Sequence, residues 1–304
     1  MSVPTERSNI QGKTPASREA AGRTTGLYAR DAGEGNAVVL VHAVPFNSRM
    51  WEPQLGALSN QARLIAPDLP GFGLSPMREI RSLSDYAEAV VDMLDRLGVD
   101  DVVVAGVSSG VYVAFDMIAP LGNRLKGLVL ACAVATPGSE QSPLDRQRLA
   151  AEVEGGGLDA ASGEYIPKLL GLGTQRNHPE IMSRLKQLTR ENTPQGVAAA
   201  LRAIADRPDF SSILPEIRCP VLCIAGAEDP LTPPERVRDM AERIPVASAV
   251  ILPDAGHLAN LEAPQAFNRE LAKFLAETVE FPTPPGVDYN SNTRSERDAD
   301  TRRR

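Results

Sequence analysis

Cysteine, histidine and long apolar runs are all scarce in this chain of 304 residues. Its three cysteines are an odd number in a long chain, which is not the pattern of a disulfide framework. Cys219 and Cys223 lie in one predicted strand, where four residues span roughly 13 Å, too far for a shared disulfide or zinc ion. We therefore expect small, buried, unpaired thiols.

The other absences exclude several kinds of partner. No apolar run is long enough to cross a bilayer, and the first two dozen residues lack the apolar stretch of a signal peptide. The chain has 39 acidic and 32 basic residues, a net charge of −7, which disfavours nucleic acid as a partner. It contains no phosphate-binding loop and no histidine pair at ligand spacing, so we predict no cofactor and no metal. These observations predict a cytoplasmic protein acting on a small molecule, and they leave the oligomeric state open.

Apolar runs of strand length alternate with amphipathic helical patterns along most of the chain. The run Ala37-Val-Val-Leu-Val-His42 is apolar on both faces, as in a buried parallel strand, and residues 125–132 and 220–225 are similar. Ser82-Leu-Ser-Asp85 and Thr193-Pro194 are typical of helix starts. This alternation predicts an α/β fold with a mostly parallel sheet of the eight-stranded type, covered by helices on both faces.

The alternation stops between residues 136 and 210, where only helical patterns occur. We interpret this segment as a helical cap, or lid, inserted after the sixth strand. The α/β core then consists of residues 25–135 and 211–281. Residues 1–24 and 282–304 are polar and are predicted to be disordered.

A candidate nucleophile lies where the apolar strand Val102 to Ala105 meets Gly106-Val-Ser108-Ser-Gly110 and then a helical pattern. A serine at the tip of such a turn has its hydroxyl clear of the backbone, and the flanking glycines let the strand and the helix pack closely. A serine hydroxyl attacks only when a base removes its proton. Ser108 therefore requires a nearby histidine.

His257 is the predicted base, because it follows a strand and reaches the same carboxyl edge of the sheet as Ser108. His178, in the helical insertion, is expected to be a solvated surface residue. His42 ends a strand, and we expect it to shape the following turn and, with Pro45, to contact substrate.

A carboxylate must hold the imidazole of the base in its productive tautomer. Asp229, just after the strand of residues 220–225, is the predicted residue. Glu228, Asp254 and Glu262 are the competing carboxylates nearby, and Asp254 is expected to hold its own loop instead.

Acyl chemistry also needs donors for the developing oxyanion, each worth about 3 to 4 kcal/mol where one was removed from a model enzyme. The amide of Ser109, at the start of the helix after the nucleophile, and the amide of Val44, in the turn after His42, are the predicted oxyanion hole. Pro45 has no N–H and only shapes that turn.

The chain resembles the α/β-hydrolase fold superfamily over roughly residues 25 to 280. The motifs that carry this resemblance are His42-Ala-Val-Pro45 with Trp51, Asp68-Leu-Pro-Gly-Phe-Gly-Leu-Ser75, Gly106-Val-Ser-Ser-Gly110, Gly226-Ala-Glu-Asp-Pro230 and Gly256-His257. Within the superfamily the chain is similar to 3-oxoadipate enol-lactonase-like hydrolases and small carboxylesterases. Two departures are Ala43 where relatives usually carry Gly, and Ser109 where they usually carry Met.

The resemblance implies a Ser-His-Asp hydrolase of a small carboxylic ester or lactone that works through an acyl-enzyme. The same three residues also serve hydrolysis of a C–C bond or cofactor-free perhydrolysis. A third hypothesis, from a different class, is a hydrolase-derived ligand receptor with little turnover.

Overall fold

A single eight-stranded sheet organises the computed structural model, which describes residues 18–19, 26–137 and 142–278. The strands lie in the order β1-β2-β4-β3-β5-β6-β7-β8. Their bounds are β1 Arg18–Glu19, β2 Ala29–Ala32, β3 Ala37–Val41, β4 Arg63–Pro67, β5 Val102–Val107, β6 Leu125–Ala131, β7 Val221–Gly226 and β8 Ala247–Leu252.

The sheet is parallel from β4 to β8 and antiparallel only at the edge formed by β1 and β2. The prediction of a mostly parallel sheet is thus confirmed. In β3 all five residues are buried, and side chains alternate between two apolar cores: Val39 and Val41 face one, Val38 and Leu40 the other. Each face of the sheet is therefore covered, which explains why this strand is apolar throughout.

The α-helices fill the connections between the strands. They are α1 Glu52–Leu58, α2 Leu83–Arg96, α3 Ser109–Leu121, α4 Pro143–Gly156, α5 Leu172–Asn177, α6 Pro179–Arg190, α7 Pro194–Ala205, α8 Pro234–Glu242, α9 Ala259–Glu262 and α10 Pro264–Thr278. Short 3-10 segments cover Ser48–Trp51, Gly122–Arg124, Ile166–Leu169, Phe210–Ser212 and Leu214–Glu216, and a π-helical turn covers Ala161–Tyr165. Among the described residues, no helix is both long and apolar enough to span a membrane.

The start of α2 confirms a helix signal from the sequence. Asp85 accepts a hydrogen bond from the Ser82 amide at 2.8 Å, in a reciprocal capping box. At α7 the Thr193 hydroxyl accepts from the Gly196 amide at 3.0 Å, with Pro194 in the first turn. Local side-chain chemistry therefore decides where both helices begin.

The N-terminal edge of the sheet differs from expectation. β2 runs through Asp31, because Ala29 to Ala32 pair with β4. Arg18 and Glu19, in a segment expected to be disordered, pair with Asp31 and Arg30. Backbone pairing at a sheet edge needs no apolar pattern. The rest of the two terminal segments predicted to be disordered lies outside the described residues.

Between β6 and β7 the described chain contains only helical segments and loops. Two residues attach this insertion to loops at the carboxyl edge of the sheet. The Asn192 side-chain amide donates to the Pro45 carbonyl at 2.7 Å and its oxygen accepts from the Gly73 amide at 2.8 Å. The Thr193 hydroxyl donates to the Gly71 carbonyl at 2.8 Å. The insertion is thereby fixed against the loops after β3 and β4.

Candidate active site

Ser108 occupies a strained turn between β5 and α3. Its backbone angles are φ 53° and ψ −121°, a conformation that few non-glycine residues adopt. A Cβ atom on Gly106 would lie 2.5 Å from the Gly110 carbonyl carbon, and one on Gly110 would lie 2.3 Å from the Val41 carbonyl oxygen. Both positions therefore require glycine, which explains the spacing of the motif. Strain of this kind is typical of functional sites.

Ser108, His257 and Asp229 form one continuous chain of hydrogen bonds. The Ser108 Oγ lies 2.7 Å from His257 Nε2. The Nδ1 atom of the same ring lies 3.0 and 2.9 Å from the two carboxylate oxygens of Asp229. The histidine side chain is 6% exposed and that of the aspartate 0%. The structure thus brings the three predicted residues together, with the carboxylate shielded from water.

Backbone amides hold the Asp229 carboxylate in place. Its Oδ1 accepts from the Leu231 amide at 2.8 Å and from the Thr232 amide at 2.9 Å. Hydrogen bonds from amides to a carboxylate are strong, and two of them restrict rotation of the side chain. The loop after β7 therefore aims one face of the carboxylate at the imidazole.

The competing carboxylates make other contacts. Glu228 accepts from the Gly173 amide at 2.6 Å, Glu262 accepts from the Leu258 and Gly171 amides at 2.9 Å each, and Asp254 is exposed. Glu262 is buried beside the histidine loop without bonding the ring. Among these four acidic side chains, only Asp229 is hydrogen-bonded to His257.

The two backbone amides predicted to form the oxyanion hole, those of Val44 and Ser109, differ in their surroundings. The Val44 amide donates to the Ser109 hydroxyl at 2.8 Å in a buried contact, whereas the Ser109 amide lies at the first residue of α3. The Val44 N–H is therefore already bonded to a protein group in this structure. The sequence indicated that Ser109 was unusual, but this contact across 65 residues was not predictable from it.

His42 and Pro45, predicted to contact substrate, are buried and bonded to protein groups. The His42 ring is 0% exposed; its Nε2 accepts from the Leu69 amide at 3.0 Å, and its Nδ1 lies 3.2 Å from the Ala43 carbonyl. The Pro45 carbonyl accepts from Asn192. Neither residue lines the cavity at Ser108. These contacts show that both residues hold the turn that carries Val44, and substrate contact by them stays a prediction.

The lowered pKa of His42 predicts how the free energy of unfolding depends on pH. Burial lowers this pKa from 6.5 to about 4, although nearby Asp68 opposes the shift. Between those two values the unfolded chain binds a proton that the folded chain does not, so the free energy of unfolding falls as the pH falls, by about 3 kcal/mol. Urea unfolding at pH 7.5, 6 and 4.5 should show this loss in the wild type and a smaller one in His42→Gln. His178→Gln is the control with the wild-type slope; an unchanged slope in His42→Gln would contradict the assignment.

The remaining histidine and the cysteines take no part in the described site. His178 is exposed and lies 3.0 Å from Glu180, as expected for a solvated residue. The three cysteines are free, with Cys132 and Cys223 buried as expected and Cys219 half-buried, and burial raises the pKa of Cys219 and of Cys223 to about 12. Within the described ranges no group of three or more His, Cys, Asp or Glu side chains is arranged to hold a metal ion.

A cavity opens beside Ser108 and His257, with walls from both the core and the helical insertion. Its lining includes Tyr112 on α3 and Leu231 and Thr232 in the loop after β7; the insertion contributes Arg146, Tyr165, Leu201 and Ile204. Sequence reasoning missed all of these wall residues. They belong to helical patterns or loops, and their approach to Ser108 depends on how the insertion folds back.

Comparisons with known proteins agree with this architecture. A solved esterase from Thermogutta terrifontis, described as malate bound, is 36% identical, with a TM-score of 0.80 over 83% of this chain and 93% of that one. An enol-lactonase from Burkholderia xenovorans is 25% identical, with a TM-score of 0.76 over 82% and 96%. The 3-oxoadipate enol-lactonase 1 of Acinetobacter baylyi is 27% identical over 84% of this chain and 94% of its own length.

The sequence profile of the alpha/beta hydrolase family matches residues 38–270, which include the sheet from β3 to β8, the turn at Ser108 and the histidine loop. This match spans most of the chain and agrees with the strand order and with the solved relatives. The protein therefore belongs to the alpha/beta hydrolase family.

Proposed function

We propose that this protein is a serine hydrolase that cleaves a small carboxylic ester or lactone through an acyl-enzyme. One observation carries the proposal: the hydrogen-bonded chain from Ser108 Oγ through the His257 ring to the buried Asp229 carboxylate. In that order a nucleophile, a base and the group that orients the base are in contact before substrate arrives.

In the first half of the reaction, Ser108 Oγ bonds to the carbonyl carbon of the ester while its proton moves to His257 Nε2. The carbonyl oxygen becomes an oxyanion, for which the Ser109 amide is a donor and the Val44 amide a second one once the Ser109 hydroxyl has rotated. The C–O bond of the ester then breaks, and the departing alkoxide takes the proton from Nε2.

In the second half, a water molecule gives a proton to His257 and attacks the acyl carbon. The Ser108 Oγ–carbon bond breaks, and Oγ recovers the proton from Nε2, which returns the enzyme to its starting state. Asp229 stabilises the imidazolium formed in each half by accepting a hydrogen bond from Nδ1–H without itself taking the proton.

The choice of an ester or lactone bond rests on the relatives. Those compared above are named esterase or enol-lactonase and match most of this chain. A lactone is a cyclic ester, so both names describe attack on the same carbonyl group. The narrow cavity beside Ser108 fits a small acyl group.

A panel of short-chain esters and small lactones, with products identified by mass spectrometry, tests this proposal. We expect release of acid and alcohol, and stoichiometric labelling by a fluorophosphonate that peptide mapping locates at Ser108. Absence of both turnover and labelling would contradict the proposal. Formation of peracid with hydrogen peroxide, or cleavage of a diketone in preference to every ester, would assign the site to perhydrolysis or C–C hydrolysis.

A further inference from the structure

One permanently charged side chain lines the cavity beside Ser108. Arg146, on α4 of the insertion, is 8% exposed and forms part of the same cavity wall as Ser108 and His257. Neighbouring Arg148 on the same helix is 72% exposed. The helix therefore directs one arginine into the site and the other into solvent.

The cavity offers an anion favourable surroundings. No carboxylate is among its lining residues in the described part of the chain, so Arg146 makes this wall of the cavity positively charged. A guanidinium attracts an anion most strongly where water is partly excluded. Its planar N–H groups match the two oxygens of a carboxylate.

We propose, on the basis of the proposed function, that Arg146 binds a second, ionised carboxylate of the substrate, so that the preferred substrates are half-esters of dicarboxylic acids or lactones that carry a free acid group.

Two tyrosines lie beside the arginine in the same cavity. Tyr112 and Tyr165 both line it, and burial raises the pKa of Tyr165 to about 12, whereas the charge of Arg146 acts to lower it. Tyr165 therefore stays protonated at neutral pH. A protonated phenol donates a hydrogen bond to a carboxylate, which adds to the attraction of the guanidinium.

A second buried cation lies behind Tyr112. The Arg207 guanidinium lies over the Tyr112 ring at 4.4 Å from its centroid, and the side chain donates to the Ile204 carbonyl at 3.1 Å. Its Nε and Nη2 atoms are buried without a partner among the described residues. Arg207 thus adds positive potential close to Tyr112, a residue of the cavity wall, which favours an anion there.

Apolar side chains complete the wall and restrict the shape of the ligand. Leu201, Ile204 and Leu231 line the cavity together with the polar groups. They suit a short hydrocarbon linker between the ester carbonyl, which must reach Ser108, and the acid group at Arg146. A neutral ester with the same number of acyl carbons fills the same space but offers the guanidinium no carboxylate.

The test compares monomethyl succinate with methyl butanoate, which have the same number of acyl carbons, by measuring kcat/KM for the wild type, Arg146→Met and Arg146→Lys. The wild type should prefer the charged ester. Arg146→Met, which has a side chain of similar length, should lose roughly 10- to 100-fold on the charged ester, the scale of a charge-assisted hydrogen bond. Turnover of the neutral ester should fall by much less, so that the preference for the charged ester is lost, and Arg146→Lys should recover part of the loss.

Arg148→Met is the matched control, because it removes an exposed charge from the same helix and should leave the preference unchanged. A wild type that prefers methyl butanoate, or an Arg146→Met variant that keeps the preference for the charged ester, would overturn the inference while the proposed hydrolase function stands. If the wild type hydrolyses neither of these two esters and no ester of the wider panel, both the inference about Arg146 and the proposed hydrolase function are overturned.

Discussion

Ser108→Ala should lower kcat for the best ester by about 10⁶-fold, the scale seen when another serine hydrolase loses its nucleophile. The Oγ atom lies 2.7 Å from His257 Nε2, and alanine leaves no atom there to form the acyl-enzyme. Residual turnover would come from substrate binding and the oxyanion donors. The measurement is steady-state hydrolysis together with fluorophosphonate labelling.

Ser183→Ala is the control for this substitution. Ser183 is exposed on α6 and donates to the Pro179 carbonyl within its own helix, so its loss should leave turnover unchanged. Thermal unfolding should show that Ser108→Ala folds, because alanine and serine meet the same backbone strain at φ 53°. Turnover or labelling at the wild-type level in Ser108→Ala would show that another residue is the nucleophile.

Asp229→Asn is expected to lower kcat by about 10⁴-fold with KM little changed, as in a serine protease with the equivalent change. Oδ1 of Asp229 accepts from the Leu231 and Thr232 amides, so the asparagine oxygen should remain there. Its NH₂ group would then face His257 Nδ1 as a donor. The ring would keep its proton on Nε2, the wrong tautomer to accept a proton from Ser108.

Asp254→Asn is the matched control, since Asp254 is an exposed carboxylate three residues before His257 and should leave kcat unchanged. The tautomer is open to direct measurement by ¹⁵N NMR of the histidine ring, which should move from Nδ1–H in the wild type to Nε2–H in Asp229→Asn. A loss of less than tenfold in Asp229→Asn would show that the carboxylate does not determine the tautomer.

The turn at Ser108 was predictable because each part of it is local. Glycine is required at Gly106 and Gly110 by contacts of 2.5 and 2.3 Å that a Cβ would make with backbone atoms. The apolar residues of β5 are buried on both faces. His257 and Asp229 could be predicted because parallel strands place the loops that follow them at one edge of the sheet.

The state of the oxyanion donors was not predictable in this way. The sequence indicates an amide at Val44 and an unusual residue at Ser109, but the hydrogen bond between them joins two loops that are far apart in the chain. Similarly, His42 ends a strand at the site edge, yet its ring turns into the core and accepts from Leu69. Such contacts depend on side-chain rotamers and packing, which no local pattern specifies.

The sequence by itself determined the parallel sheet and the sharp turn at Ser108, because strand periodicity and glycine spacing carry that information. It also identified Asp229 and His257 as candidate partners of Ser108, because each follows a predicted strand. Only the tertiary structure decided which side chains surround Ser108. Arg146 reaches the cavity because the insertion folds back over the sheet edge, where Asn192 bonds to the Pro45 carbonyl. Long-range packing of this kind has no signature in the composition or periodicity of α4.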